Sequence, residues 1–142
     1  RMLFPSYDGV AREYGGGGVY SAVETAARER AYVAMYEEMR RALGPERFAI
    51  FVAADNFAYA KFTEIAPLRA WSSTMVEALW RLQSEFYLRR GDLFVAAGAG
   101  APPSGEALGA LNQEFRARAA AMVGETVFRD TPKAFEWLPK TP

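Results

Sequence analysis

The sequence predicts an all-α fold, a four-helix bundle-like domain carrying extended, non-helical arms at both ends. Three observations lead there. Apolar residues recur at three- and four-residue spacing over several long stretches. Serine caps and glycine or proline stops bracket those stretches. No segment reads as a strand with an evident partner.

The first 20 residues, RMLFPSYDGVAREYGGGGVY, show neither a helical nor a strand period. Pro5, Asp8-Gly9 and Gly15 to Gly18 keep the backbone irregular. Phe4, Tyr7, Tyr14 and Tyr20 are too apolar for a free tail, so 1–20 reads as an arm that lies against something. The glycines lack the Lys-Ser/Thr of a phosphate-binding loop, being followed by Val19-Tyr20, and serve as a joint.

The helical domain is expected over 21–127. Ser21-Ala22-Val23-Glu24 is a capping box opening a helix over 21–43, with Tyr32, Met35, Tyr36, Met39 and Leu43 on one face. Gly44-Pro45 stops it. A second helix is expected over 45–65, started by Pro45. There Phe48, Phe51, Val52, Tyr59 and Phe62 share a broad face, while Ile50 and Phe57 point the other way. A segment apolar on two sides is either central to a core or covered by another chain. A rival reading makes 47–54 a buried strand turning at Asp55-Asn56, but it would lack partners.

Pro67 is expected to open a third helix over 67–90, with Leu68, Trp71, Met75, Leu79, Leu82 and Phe86 in one stripe and Gly91 as its end. Residues 91–105 loosen into a linker rich in glycine and proline. A fourth helix over 106–127, capped by Ser104, places Leu108, Leu111, Phe115, Ala119 and Met122 on one face. The last 15 residues, 128–142, read as a second extended arm, with Phe128, Phe135, Trp137 and Leu138 as apolar anchors between prolines.

Composition narrows the chemistry. The chain has 142 residues, 51% of them hydrophobic, enough for one domain with a core. It has neither histidine nor cysteine, which removes imidazole bases, thiolate nucleophiles and the common zinc sites. Glu24, Glu29, Glu37 and Glu38 scatter around their helix and do not build a metal site. Neither a metal nor an organic cofactor is expected. Seventeen basic residues balance seventeen acidic ones, which argues against a nucleic-acid partner. No apolar run is long enough to cross a bilayer. Arg40-Arg41 and Arg89-Arg90 are expected in last turns, where they suit the helix dipole; peripheral contact with lipid headgroups is their other use.

Asp55 is the odd placement, a carboxylate within an aromatic face. Burial would raise its pKa and suit it to acid–base work or ligand anchoring. A tyrosine hydroxyl, an arginine, or a chain break at Asp55-Asn56 would satisfy it structurally. The functional expectation is a non-catalytic accessory subunit of a larger multiprotein assembly, docking through apolar helix faces and both arms. A small helical ligand-binding protein or enzyme with a pocket around Asp55, and a lipid-surface coat protein, are the alternatives. The start at Arg1 reads as a processed or trimmed product, for which the mitochondrion is the expected compartment.

Overall fold

The computed structural model describes residues 21–98 and 101–139. The fold is all-α. Among the described residues, six helices and one short 3-10 turn follow in order: α1 (Ala22–Leu43), α2 (Pro45–Asp55), α3 (Phe57–Arg69), α4 (Ser73–Ala97), α5 (Gly105–Val123), α6 (Glu125–Asp130) and the turn Pro132–Ala134. The expected arm over 1–20, with Phe4, Tyr7, Tyr14 and Tyr20, lies outside the described residues.

The arrangement is centred on α4, which packs against α1, α3 and α5. Ala26, near the start of α1, meets Gly91 near the end of α4, while Arg40 at the other end of α1 bonds Glu77. The two helices are therefore antiparallel. Arg118–Glu85 and Arg89–Glu114 set α5 antiparallel to α4 in the same way. Phe48, Val52, Phe62, Leu79, Phe86 and Phe115 are the largest wholly buried side chains and form the middle of the core.

Local chemistry explains the ends of α1. The Ser21 hydroxyl accepts from the Glu24 amide at 3.1 Å, and the Glu24 carboxylate accepts from the Ser21 amide at 2.9 Å. Such a cap stabilises a helix by about 1 kcal/mol. Gly44 closes α1 at φ 80°, a value unfavourable for any residue with a Cβ.

The expected helix over 45–65 is two helices. Asn56 adopts an extended conformation, ends α2, and caps α3 by accepting from the Tyr59 amide at 3.0 Å. Asparagine competes with the helical backbone for hydrogen bonds, and here it wins. The expected start at Pro67 is also corrected. Pro67 lies within α3, whose end is marked by Ala70 in the left-handed region, and Ser72 caps α4. Leu68 is thereby removed from the core stripe and becomes exposed.

Gly91 does not terminate a helix. It sits inside α4, where a Cβ would stand 2.2 Å from the Ala26 Cβ, so it marks the closest approach of α1 and α4. Of the linker expected over 91–105, residues 91–97 belong to α4 and Gly105 to α5. Helix α5 stops at Val123 because Gly124 takes φ 93° and opens α6.

The C-terminal segment is not an extended arm through 139. Helix α6 and the 3-10 turn fold it back, and Phe135 and Leu138 enter the chain's own core. Phe135 lies 4.9 Å from Phe128 and 6.5 Å from Trp71, centre to centre. Trp137 packs 5.5 Å from Phe86 and donates its indole N–H to the Ala134 carbonyl at 3.0 Å. The prolines bend the segment instead of stretching it: Pro132 opens the turn that aims these rings inward.

Candidate functional site

Asp55 occupies the α2–α3 junction. The Tyr36 hydroxyl donates to its Oδ2 at 2.9 Å, and Asn56 Nδ2 donates to the Tyr36 oxygen at 3.3 Å. Tyr36 is 4% exposed, walled by Trp80 at 5.2 Å and stacked on Tyr32 at 5.7 Å. Burial chiefly holds its phenol well above the ordinary value; the hydrogen bond from Asn56 acts the other way, and the Asp55 carboxylate adds to the rise. Asp55 and Asn56 thus form a polar knot that pins the junction to α1. Asp55 itself lines none of the five hollows described, although its partner Tyr36 borders one of them.

Two hollows are worth describing. One, of about 170 Å³, follows the seam between α1 and α4 over Tyr36, Trp80, Val33 and Leu88. Glu29 lies on its wall with its carboxyl held above the usual range by burial, against the opposing pull of the Ser84 hydroxyl and Arg28. The other, of about 450 Å³, runs between α2, α3 and the start of α4, past Ile50, Ala53, Ala66, Pro67, Trp71 and Val76. Its lining carries no charged residue.

Ile50 at this groove, and Phe57 and Leu68 on another side of α3, present apolar side chains to solvent. Ile50 is 74% exposed, and Phe57 and Leu68 are each 81% exposed. On α3, Phe57, Lys61, Glu64 and Leu68 fall at i, i+4, i+7 and i+11, one stripe of the helix. Its ends are apolar and about 16 Å apart, from 11 residues at 1.5 Å each. Lys61 is held between Glu136, at 3.1 Å, and the Phe57 ring, at 5.4 Å. The stripe lies about half a turn around α3 from Tyr59, Thr63 and Ala66, which line the uncharged groove, and Phe57 borders a different hollow with Lys61 and Glu136.

Comparison with protein-family models, curated proteins and solved structures finds no match. Function is therefore argued from this geometry alone.

The expected anchors divide. Phe135 and Leu138 are buried in the chain's own core, and Phe128 and Trp137 are half-buried against it. All four pack on the chain's own body, Phe135 and Leu138 wholly and Phe128 and Trp137 in part. Ile50 and Phe57 do point outward, as their helical positions require. Leu68 was missed as a surface residue because Pro67 reads as a helix start. The pair Ser72-Ser73 carried the better signal, since serine at Ser72 caps α4 by accepting from the Met75 amide at 3.1 Å.

Among the described residues no cluster of three acidic, histidine or cysteine side chains could hold a metal ion. No described helix is long and apolar enough to cross a membrane. Three of the four arginines considered for lipid are engaged internally: Arg40 bonds Glu77 at 2.6 Å, Arg89 bonds Glu114, and Arg90 lies over the Phe94 ring at 5.5 Å, while Arg41 is exposed. Arg89 and Arg90 also lie well before the end of α4, so no last-turn dipole explains them.

Proposed function

We propose that this chain is a non-catalytic accessory subunit that docks on another protein through the outward face of α2 and α3. One observation carries the reading. Ile50, Phe57 and Leu68, among the most exposed large apolar residues described, sit on these two adjoining helices, Ile50 at a groove without charge and Phe57 and Leu68 on a separate stripe of α3. A partner suited to the α3 stripe offers apolar side chains for Phe57 and Leu68 and opposite charges for Lys61 and Glu64 between them. The lack of histidine and cysteine agrees with a role that is not catalytic.

The test compares tagged wild-type chain with Phe57→Glu/Leu68→Glu in the cells that make it. Both side chains are exposed, so the variant should keep its melting temperature to within about 2 °C. Wild type should migrate on native gels within a species much larger than 15.7 kDa, and the variant should migrate free. A wild-type chain that migrates as a lone monomer, or a variant that stays in the large species, would sink the proposal.

A further inference from the structure

The uncharged groove between α2, α3 and α4 carries a backbone acceptor that its own helix leaves without the regular donor. Thr63 and Pro67 both line the groove, about one turn apart on α3. Pro67 has no N–H, so the Thr63 carbonyl loses the hydrogen bond that a helix normally brings to it from that position. The end of α3 is closed differently, since the Ala66 carbonyl accepts from the Ala70 and Trp71 amides, the latter at 2.9 Å. The Thr63 hydroxyl donates to the Tyr59 carbonyl at 2.9 Å, so its proton is already used and it too offers lone pairs. Ile50, Thr63, Pro67 and Ser73 are exposed, which leaves the groove open to solvent. Tyr59, Ala66 and Val76 are buried and make its floor.

Size and chemistry define what this groove takes. Its 450 Å³ falls within the range of roughly 300–1,000 Å³ found for small-molecule sites. An ionised ligand would leave water for a wall without an opposite charge, at a large cost. A wholly apolar ligand would cover the Thr63 carbonyl and leave it unpaired. An aliphatic chain with one neutral donor avoids both losses. We infer that the groove binds an uncharged aliphatic alcohol, whose O–H donates to the Thr63 carbonyl while its chain covers Ala53, Ala66 and Val76. Burial of the chain supplies the affinity. The hydroxyl supplies selectivity, because water serves the exposed carbonyl equally well in the free protein. The site is separate from the docking stripe, since Phe57, Lys61, Glu64 and Leu68 are not among its lining residues.

The test uses 1-octanol as the probe. Titrated into the purified chain, it should raise the melting temperature and change the fluorescence of Trp71, which lines the groove, with a Kd on the order of 0.1–1 mM. Trp71→Phe should remove that fluorescence change. Octanoate should bind about tenfold more weakly or worse, for want of a counter-charge. The methyl ether of octanol, which lacks the donor, should bind about fivefold more weakly. Pro67→Ala examines the carbonyl itself. It returns an N–H to α3, which favours the helix, and pairs the Thr63 carbonyl internally. The preference for alcohol over ether should then fall to about one. Ala53→Leu fills the groove and should weaken both ligands by about tenfold, with the circular dichroism spectrum unchanged. Phe57→Glu/Leu68→Glu should leave octanol binding intact, whatever that variant does to docking. Four results overturn the inference: no binding of octanol, octanoate binding as tightly as octanol, an alcohol preference that survives Pro67→Ala, or octanol binding lost in Phe57→Glu/Leu68→Glu, which would move the ligand to the stripe.

Discussion

Replacing Gly91 with alanine tests the packing centre of the fold, because two effects of opposite sign meet there. Alanine is favoured over glycine inside a helix by about 1 kcal/mol. Against this, the new methyl would stand 2.2 Å from the Ala26 Cβ and 3.1 Å from the Ala22 carbonyl oxygen. Carbon atoms in good contact sit about 3.5–4.0 Å apart, so α1 and α4 would have to part by roughly 1.5 Å. Neither obstructing atom can rotate away, since one is a methyl and the other is backbone. Overpacking of this kind costs about 1–3 kcal/mol, and rigid neighbours place it near the top of that range. The net loss is then about 2 kcal/mol, which for a chain of this length lowers the melting temperature by about 6 °C. Gly109 supplies the control: it lies inside α5 with nothing within 4 Å of its would-be Cβ. Gly109→Ala should therefore raise the melting temperature by about 2–3 °C. Ala26→Gly/Gly91→Ala moves the methyl to the other helix and should return stability to within about 1 kcal/mol of wild type. Thermal melts followed by circular dichroism distinguish all three. If Gly91→Ala melts as high as Gly109→Ala, the close crossing of α1 and α4 is not what the glycine is for.

Two further outcomes follow from the same structure. Phe135→Ala should cost about 3 kcal/mol and lower the melting temperature of the isolated chain by about 9 °C, because the ring is part of its own core; an unchanged melt would return the C-terminal segment to a partner. Tyr36 governs stability at high pH. Its folded phenol titrates above its unfolded value near 10, so below pH 10 its contribution is complete. As pH rises past 10 the unfolded chain releases the proton first, and stability falls by up to about 1.4 kcal/mol per pH unit. Tyr36→Phe should flatten that fall in denaturant titrations at pH 8, 10 and 11, and cost about 1–2 kcal/mol at pH 8 by removing the donor to Asp55. A pH dependence equal to that of wild type would contradict this account of Tyr36.

The sequence was most legible where a local signal and a periodic pattern agreed. Ser21 with Glu24, and Ser104 ahead of Leu111 and Phe115, both mark helix starts, and both caps form. It misled where one residue type serves two ends. Gly91 reads as a stop because glycine closes many helices, yet here it answers a neighbour that is distant in sequence, Ala26. Pro67 reads as a start, but it lies inside α3, where it removes the donor to the Thr63 carbonyl, and the left-handed Ala70 sets the true boundary. The aromatics of 128–138 were rightly seen as needing a surface. Which surface was not legible, since that depends on α6 and the 3-10 turn directing Phe135 and Leu138 inward. Asp55 was legible as a buried polar contact or chain break, and it takes part in both: a tyrosine hydroxyl meets it and the helix ends at it.

That knot also bears on the proposed docking face. A single helix through 45–65 would carry all of its apolar residues on one continuous rod, and no bend would be available to divide them. The extended Asn56 lets α2 and α3 set their directions separately while Tyr36 holds the joint. Phe48 and Val52 from one helix, and Tyr59 and Phe62 from the other, can then all reach the core. Ile50, Phe57 and Leu68 remain outside, and burying Phe57 and Leu68 would bring Lys61 and Glu64 of the same stripe inward with them, at a large desolvation cost. The fold has therefore no internal use for these three side chains in their present positions. Phe57 makes the point most clearly: its ring stands 81% exposed beside a lysine already paired to Glu136. Its only described ring contact is with the Lys61 ammonium at 5.4 Å, so most of the ring's apolar area remains for the docking proposed above.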